Sequence, residues 1–349
     1  MTGGAGFVGT NLAHRLASDG HHVLVYDDLS RPGVDRNLRW LRRNHPDAVE
    51  VQIGSVTDAA RLARLVRRAD AVFQLAAQVA VTTSVKDPVG DFAVNLRGTL
   101  NLLEAVRASP RPAHVVFTST NKVYGSLADV RVRDAGQAYA ACDERYEHGV
   151  AEDRPLDFHS PYGCSKGGAD QYVLDYARTF AVPTTVFRMS CIYGPHQHGN
   201  EDQGWVAHFL TRVLRGEPIT IYGDGKQVRD VLYVADLVEA FLRVLAHGRQ
   251  VAGRAFNVGG GPERAVSLLQ LLRHVEEVAE LPARVRFEGW RTGDQRWYVS
   301  DTRAFREATG WTARVGTREG VRRLHQWLRR HAPLPEEEAV ASSRVAAAG

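Results

Sequence analysis

The chain has few lysines, few cysteines and no long apolar run, and each scarcity narrows what it can be. Of 44 basic residues among 349, only Lys86, Lys122, Lys166 and Lys226 are lysines; the rest are arginines. A lysine kept in so arginine-rich a chain points to a place where a fixed, planar guanidinium would not serve and a compact ammonium of tunable pKa would. The three cysteines, Cys142, Cys164 and Cys191, form neither a metal-ligand pair nor a disulfide framework, which fits a reducing compartment. No apolar stretch approaches the roughly 20 residues of a membrane span, and no signal peptide precedes the first motif, so a cytoplasmic protein off the membrane is expected. The net charge of +4 comes from scattered arginines, densest between Arg318 and Arg330, with no nucleic-acid-binding motif beside them. It reads as solvated helix surface or general attraction to anionic substrates.

What is present suits one large α/β domain or two closely joined ones: 44% hydrophobic and 24% charged residues can bury a sizeable core. Short β-branched runs at 23–26, 49–51, 71–75, 114–117 and 184–187 read as buried strands. Amphipathic stretches near 8–18, 58–68, 91–108 and 161–180 read as the helices between them. Repeated alternation of this kind predicts a doubly wound parallel sheet. After Tyr193-Gly194-Pro195 the pattern loosens into loops rich in Gly, His and Gln, with shorter helices near 204–215, 234–247 and 266–279. The expected organisation is a dinucleotide-binding domain over 1–190, rejoined by 231–258, and a smaller substrate lobe from 191–230 and 259–330. Residues 333–349, without apolar periodicity, are expected to form a disordered tail.

Thr2-Gly3-Gly4-Ala5-Gly6-Phe7-Val8-Gly9 sets glycines at three-residue intervals before a helix, letting backbone approach a pyrophosphate that then rests on the helix N-terminus. Asp27 ends the next strand eighteen residues past Gly9, where a carboxylate would accept the adenosine ribose hydroxyls. That carboxylate disfavours the extra phosphate of NADP, although Arg31 nearby leaves NADP as the lesser alternative to NAD. One element is short. Met1 stands directly before Thr2, so the strand that should lead into the glycine loop is cut away. Its neighbours would be left with unpaired backbone groups, and the expectation is that the native start lies several residues upstream.

Ser160-Pro161-Tyr162-Gly163-Cys164-Ser165-Lys166 places a phenol and an ammonium four residues apart at a helix start, on one face. The ammonium is expected to favour phenolate, so that a group with an ordinary pKa of about 10 exchanges protons nearer neutrality, as a base for a sugar hydroxyl must. Phe117-Thr118-Ser119-Thr120 ends a strand in hydroxyls, one of which can share a substrate oxygen with Tyr162.

Together these parts resemble the extended short-chain dehydrogenase/reductase superfamily of NAD-dependent epimerases and dehydratases, from Thr2 to about residue 330, which implies a Rossmann-type fold. Within it the chain looks most like the CDP-paratose 2-epimerases. The strings that carry this are Asp28-Leu29-Ser30-Arg31, Gln78-Val79-Ala80-Val81-Thr82-Thr83-Ser84, Ser119-Thr120-Asn121-Lys122-Val123-Tyr124-Gly125, Leu156-Asp157-Phe158-His159-Ser160 leading into the Tyr162 motif, Asp202-Gln203-Gly204-Trp205-Val206 and Gly225-Lys226-Gln227-Val228-Arg229-Asp230-Val231. The long insert between Tyr124 and Tyr162 fits the same group.

The resemblance implies that Tyr162 is the acid/base, that Lys166 orients the nicotinamide ribose and lowers the tyrosine pKa, and that Thr120 is the hydroxyl partner. It implies NAD contacts from Gly3, Gly6, Phe7, Val8, Asp27, Asp28, Ser30 and Arg31, and from Ser55 and Val56. Further contacts are implied from Leu75, Ala76, Ala77 and Gln78, and from Asn95, Tyr162, Lys166 and Met189. Arg229 and Arg291 would grip the nucleotide diphosphate, with Thr120, Asn121, Ser190, Gln203 and Val206 as further substrate contacts. No metal is implied. Many relatives carry aspartate at the Ser55 position and asparagine at that of Cys191, so adenine reading and one substrate contact differ here. Relatives that eliminate water place an acid directly after the catalytic threonine or serine, whereas Asn121 and Lys122 follow Thr120. The expected activity is inversion at carbon 2 of a CDP-sugar, by a homodimer or homotetramer. Inversion at carbon 4 of a UDP-sugar is the nearest alternative, and a non-catalytic NAD sensor is the alternative of another class.

Overall fold

The computed structural model describes residues 1–291 and 294–331, and the tail expected over 333–349 lies outside them. Six parallel strands run side by side in the order Val49–Ile53, Val23–Asp27, Ala71–Gln74, His114–Thr120, Thr184–Met189, Arg254–Val258. The seam between the second and third is closed by Met1 and Thr2. Thr2 bridges in parallel to both Tyr26 and Gln74. Tyr26 N donates to Met1 O at 2.8 Å, Thr2 N to Phe73 O at 3.0 Å and Leu75 N to Thr2 O at 3.2 Å. Two residues therefore supply the sheet's central bonds at its carboxyl end, where the glycine loop begins. The chain builds strands on one side of this seam, then crosses to build on the other, which makes it the switch point where open α/β sheets take ligands.

Strands buried on both faces explain the sequence pattern. In His114–Thr120, Val115 and Phe117 enter one apolar core and Val116 the other, as a period of two requires. Helices Phe7–Ser18, Val34–Asn44 and Val234–Ala246 cover the face of Val116; Ala59–Val66, Gly98–Arg107 and Ser160–Phe180 cover that of Val115. The helix expected over 91–108 is interrupted: Pro88–Phe92 passes into a π-helical turn, Ala93–Arg97, before Gly98–Arg107. That wider turn carries Asn95 inward.

A second lobe is centred on Val228–Tyr233, which pairs in parallel with Cys191–Tyr193 and Trp297–Tyr298 and antiparallel with Ala265–Ser267. Helices Trp205–Leu214, Leu268–Ala279 and Thr317–His331 pack over its own core, around Phe209, Ile219, Leu271 and Leu324. Ser267 and Gln270 start the middle helix with a reciprocal capping box. Phe305 and Trp311 then return the chain to the core of Val116. Among the described residues no helix is long and apolar enough to cross a membrane.

Candidate active site

A cavity of about 740 Å³ opens at the carboxyl ends of the strands beside the seam. Its floor is the glycine loop. At Gly3, φ +64°, a Cβ would stand 2.6 Å from Ala76 N, and at Gly9 one would stand 2.4 Å from Gly3 O, so any side chain would push backbone apart. Gly6 precedes helix Phe7–Ser18, whose start has no side-chain cap and no acid in its first turn. The leading N–H groups thus stay available to an anion.

Asp27 ends its strand on the cavity wall, accepting Ala5 N at 3.0 Å and Leu29 N at 2.9 Å, one on each carboxylate oxygen. Each oxygen keeps acceptor capacity for a diol. Burial raises the Asp27 pKa, with the two backbone donors working against that rise. Arg31, also on the wall, donates from Nη2 to Gln203 Oε1 at 2.6 Å. Arg31 stands beside Asp27, whose carboxylate disfavours a 2′-phosphate. Ser119 adds a third sign of a bound group: its hydroxyl is buried on the wall with no partner among the described residues. The cradle, the diol acceptor and the orphaned hydroxyl fit NAD. Phe7, Val8, Asp28, Ser30 and Val56 line the same cavity, as do Leu75, Ala76, Ala77, Gln78 and Met189. On the side of the second lobe, Ser190, Gln203 and Val206 line it.

Helix Ser160–Phe180 brings Tyr162 and Lys166 to this wall one turn apart, with Pro161 in its first turn and Ser84 Oγ accepting the Tyr162 N–H at 3.1 Å. They are only 8% and 3% exposed. Burial pushes the Tyr162 pKa up to about 12, against the neighbouring Thr120 hydroxyl, which pulls it down. Lys166 does not relieve this. Its Nζ donates to Thr118 O at 2.5 Å and lies 4.2 Å from the centre of the Phe117 ring. Burial pulls its own pKa down to about 7, against the attraction of Asp170 and Asp91. The expectation that Lys166 lowers the tyrosine pKa is corrected accordingly: Thr120 and Arg31 pull it down, and the ammonium is engaged by a strand carbonyl.

Other expected contacts fall elsewhere. Asn95, 1% exposed, accepts Gln78 N at 2.9 Å and donates to Gln78 O at 2.9 Å, Asp91 Oδ1 at 3.0 Å and Ser165 Oγ at 3.1 Å. Its amide is saturated off the cavity wall, where it positions the loop 75–80. The Ser55 hydroxyl accepts from Thr57 Oγ1 at 2.9 Å, and Val56 lines the wall in its stead. Asn121 takes the Thr120 hydroxyl at 3.4 Å. Arg229 is held by Asp294 at 3.2 Å and by its neighbour Val228 O at 2.8 Å. Arg291 is held by Glu201 at 3.5 Å and Asp202 at 3.4 Å, over the Tyr222 ring at 3.8 Å. Neither arginine lines the cavity; each has a carboxylate where the resemblance implies a diphosphate.

One residue on the wall escapes sequence reading. Asp91 accepts from Ser165 Oγ at 2.5 Å, Gln78 Nε2 at 2.8 Å and Asn95, tying helix Ser160–Phe180 to the loop 75–80. Its four-residue spacing to Asn95 was the available signal.

Residues 1–259 match the NAD dependent epimerase/dehydratase family. CDP-paratose 2-epimerase of Salmonella typhi is 41% identical over 334 residues, covering 94% of this chain and 98% of its own. UDP-glucose 4-epimerase of Mycolicibacterium smegmatis is 33% identical over 94% of this chain and 97% of its own. Among solved structures, the Thermus thermophilus UDP-glucose 4-epimerase complex with NAD superposes with a TM-score of 0.79 at 32% identity, over 95% of this chain and 98% of that one. With the glycine loop, Asp27 and Thr120, Tyr162 and Lys166 all inside the matched span, the chain is an NAD-dependent enzyme and belongs to the NAD dependent epimerase/dehydratase family.

Proposed function

We propose that this enzyme inverts carbon 2 of a CDP-sugar, as a CDP-paratose 2-epimerase does. The observation that carries the reading is the Tyr162 phenol beside the Thr120 hydroxyl, with Asn121 and Lys122 following Thr120 in place of acids, in a chain 41% identical to a relative of that name. Bound NAD supplies a hydride acceptor that later gives the hydride back. Tyr162, whose phenol burial keeps protonated, would act as phenolate beside the positive nicotinamide of bound NAD, taking the proton of the carbon-2 hydroxyl while Thr120 holds the same oxygen and returning it once the keto sugar has presented its other face. Lys166 orients the nicotinamide ribose. Burial of Tyr162 and Lys166 strengthens these polar contacts and keeps water from the keto sugar. With Asn121 and Lys122 after Thr120, the acid that water-eliminating relatives place there to move a second proton is replaced, which favours epimerisation over elimination.

Incubation with CDP-, UDP- and dTDP-sugars, followed by NMR, tests this. Inversion at carbon 2 of a CDP-sugar is expected. Inversion at carbon 4 of a UDP-sugar would instead establish the second reading, which the 33% identical relative favours. No change with any sugar would leave a cofactor-binding protein and overturn both. We also assign the enzyme to the cytoplasm, as a homodimer or homotetramer. The free, exposed thiols of Cys142 and Cys164 support the first assignment. Exposed Val85, Val89 and Phe92, on the short helices against Ser160–Phe180, support the second, which sedimentation would check.

A further inference from the structure

The segment 195–204 reaches from the second lobe and is sewn onto the nucleotide-binding part. Asn11 Nδ2 donates to Pro195 O at 2.9 Å, and Asn37 Nδ2 to His196 O at 3.1 Å. The His198 ring packs on Gly33, φ +86°, so closely that a Cβ there would stand 2.4 Å from its Cδ2. Inside the segment, Asn200 and Gln203 pair backbone to backbone at 2.8 and 3.2 Å, and Asn200 Oδ1 accepts Gln203 N at 2.9 Å. This folds the segment so that Gln203 projects where two other loops end. Its Oε1 accepts from Arg31 Nη2 at 2.6 Å, and its Nε2 donates to Val79 O at 2.5 Å. Arg31, Val79 and Gln203 come from three separate segments, and all three line the cavity.

We infer that the chain Arg31–Gln203–Val79 is a latch across the cofactor cavity, and that Gln203 is a positioning residue that retains NAD between the two half-reactions. The inference rests on the reading that the enzyme returns the hydride to the same sugar. An epimerase of that kind cannot let its cofactor go midway: NADH that left would strand the keto sugar without a hydride. Only a side chain with an acceptor and a donor side by side can close this latch, since one partner is a guanidinium and the other a carbonyl. Glutamate would accept from Arg31 but set an anion against Val79 O. Methionine fills the space and bonds neither. The segment's other ties do not use the Gln203 side chain, so its substitution opens the latch while the backbone pairing with Asn200 and the stitching at Asn11, Asn37 and Gly33 stay.

The test is an exchange experiment on NAD-loaded protein without sugar. Wild type, Gln203→Glu and Gln203→Met are chased with an excess of acetylpyridine adenine dinucleotide, and release of bound NAD is followed by mass spectrometry. The expected result is release faster by on the order of tenfold or more in both variants, matching the loss of a charge-assisted bond or a neutral one. With a CDP-sugar added, the variants shed NADH and keto sugar, and added NADH, which carries the hydride the keto sugar lacks, restores epimer formation. Release at the wild-type rate in both variants overturns the latch. So does a rise in KM for the sugar with NAD release unchanged, because Gln203 is then a substrate contact. Should even the wild type turn over no sugar, the proposed function falls while the sugar-free exchange still decides the latch.

Discussion

Lys166 donates to the carbonyl of Thr118 at 2.5 Å while Tyr162, one turn earlier on the same helix, stands beside the hydroxyl of Thr120 two residues along the same strand. The two side chains therefore divide the work. In the proposed mechanism Tyr162 and Thr120 handle the proton, and the Lys166–Thr118 bond docks the helix on the strand end.

Removing the phenol should accordingly cost chemistry and spare binding. For Tyr162→Phe, turnover falls by about 10³-fold or more, in line with a lost general acid/base. Bound NAD stays at the wild-type level, because the glycine loop and Asp27 are untouched. Thr120→Val, which leaves Tyr162 without its partner, should lose about 10- to 100-fold in turnover. Steady-state rates beside the nucleotide content of purified protein check both; a Tyr162→Phe enzyme that still turns over would remove the residue from its role.

Lys166 sets the sign of a stability dependence. Its folded pKa, about 7, lies below the ordinary 10.5. Between those values the unfolded chain binds a proton that the folded chain does not, so stability from this group rises with pH through that window. Below about 7 both states are protonated and the penalty is fully present. Lys166→Met has no such window. The stability of wild type minus that of the variant should climb with pH from 7 toward 10, by at most about 1.4 kcal/mol per unit. Urea unfolding at several pH values measures it, and a flat difference contradicts the assignment.

Asp27 must be ionised to accept two ribose hydroxyls strongly, and burial raises its pKa. NAD affinity should therefore weaken on mild acidification, at higher pH than an ordinary aspartate would give. Asp27→Asn should abolish that dependence and lower the affinity at neutral pH by on the order of tenfold. Calorimetric titration across pH 4 to 7 would show it. The same fall in wild type and variant would place the titrating group elsewhere.

The features that were legible in the sequence are the local ones. Strands buried on both faces declare themselves as short β-branched runs. The glycine loop, Asp27 and the Tyr162–Lys166 spacing each sit within one strand-turn-helix unit. Helix Val34–Asn44 was not anticipated: only Val34, Leu38 and Leu41 among its apolar residues reach the core, and charged residues fill much of the rest. Spacing placed Lys166 on the same face as Tyr162 but could not show that its ammonium reaches Thr118 O. Polar partners distant in sequence leave no periodicity to read. Arg31 and Gln203 are 172 residues apart, and nothing in either neighbourhood announces the other. Asn95 was assigned to the cofactor by resemblance, and its actual partners, Gln78 and Ser165, come from two other segments.

Asn95 gives the strictest test of a residue that acts through its neighbours. Its carbonyl accepts one bond from Gln78, and its two N–H groups are shared among three acceptors, one of them a carboxylate oxygen of Asp91. Asn95→Ala leaves those buried atoms short of partners and should cost about 2–4 kcal/mol of stability. It should also weaken NAD binding, because Gln78 lines the cavity although Asn95 does not. Asn95→Asp keeps the volume and the acceptor, but sets a second carboxylate against Asp91. Two like charges that close cannot both ionise cheaply, so the introduced carboxyl has a raised pKa and the folded state binds an extra proton. Stability of this variant relative to wild type should then recover as pH falls from 7 to 5, whereas Asn95→Ala should stay equally impaired throughout. Thermal melts of the three proteins at both pH values decide it: parallel shifts for both variants would mean that packing, and not the hydrogen-bonded hub at Asp91, sets the position of the 75–80 loop.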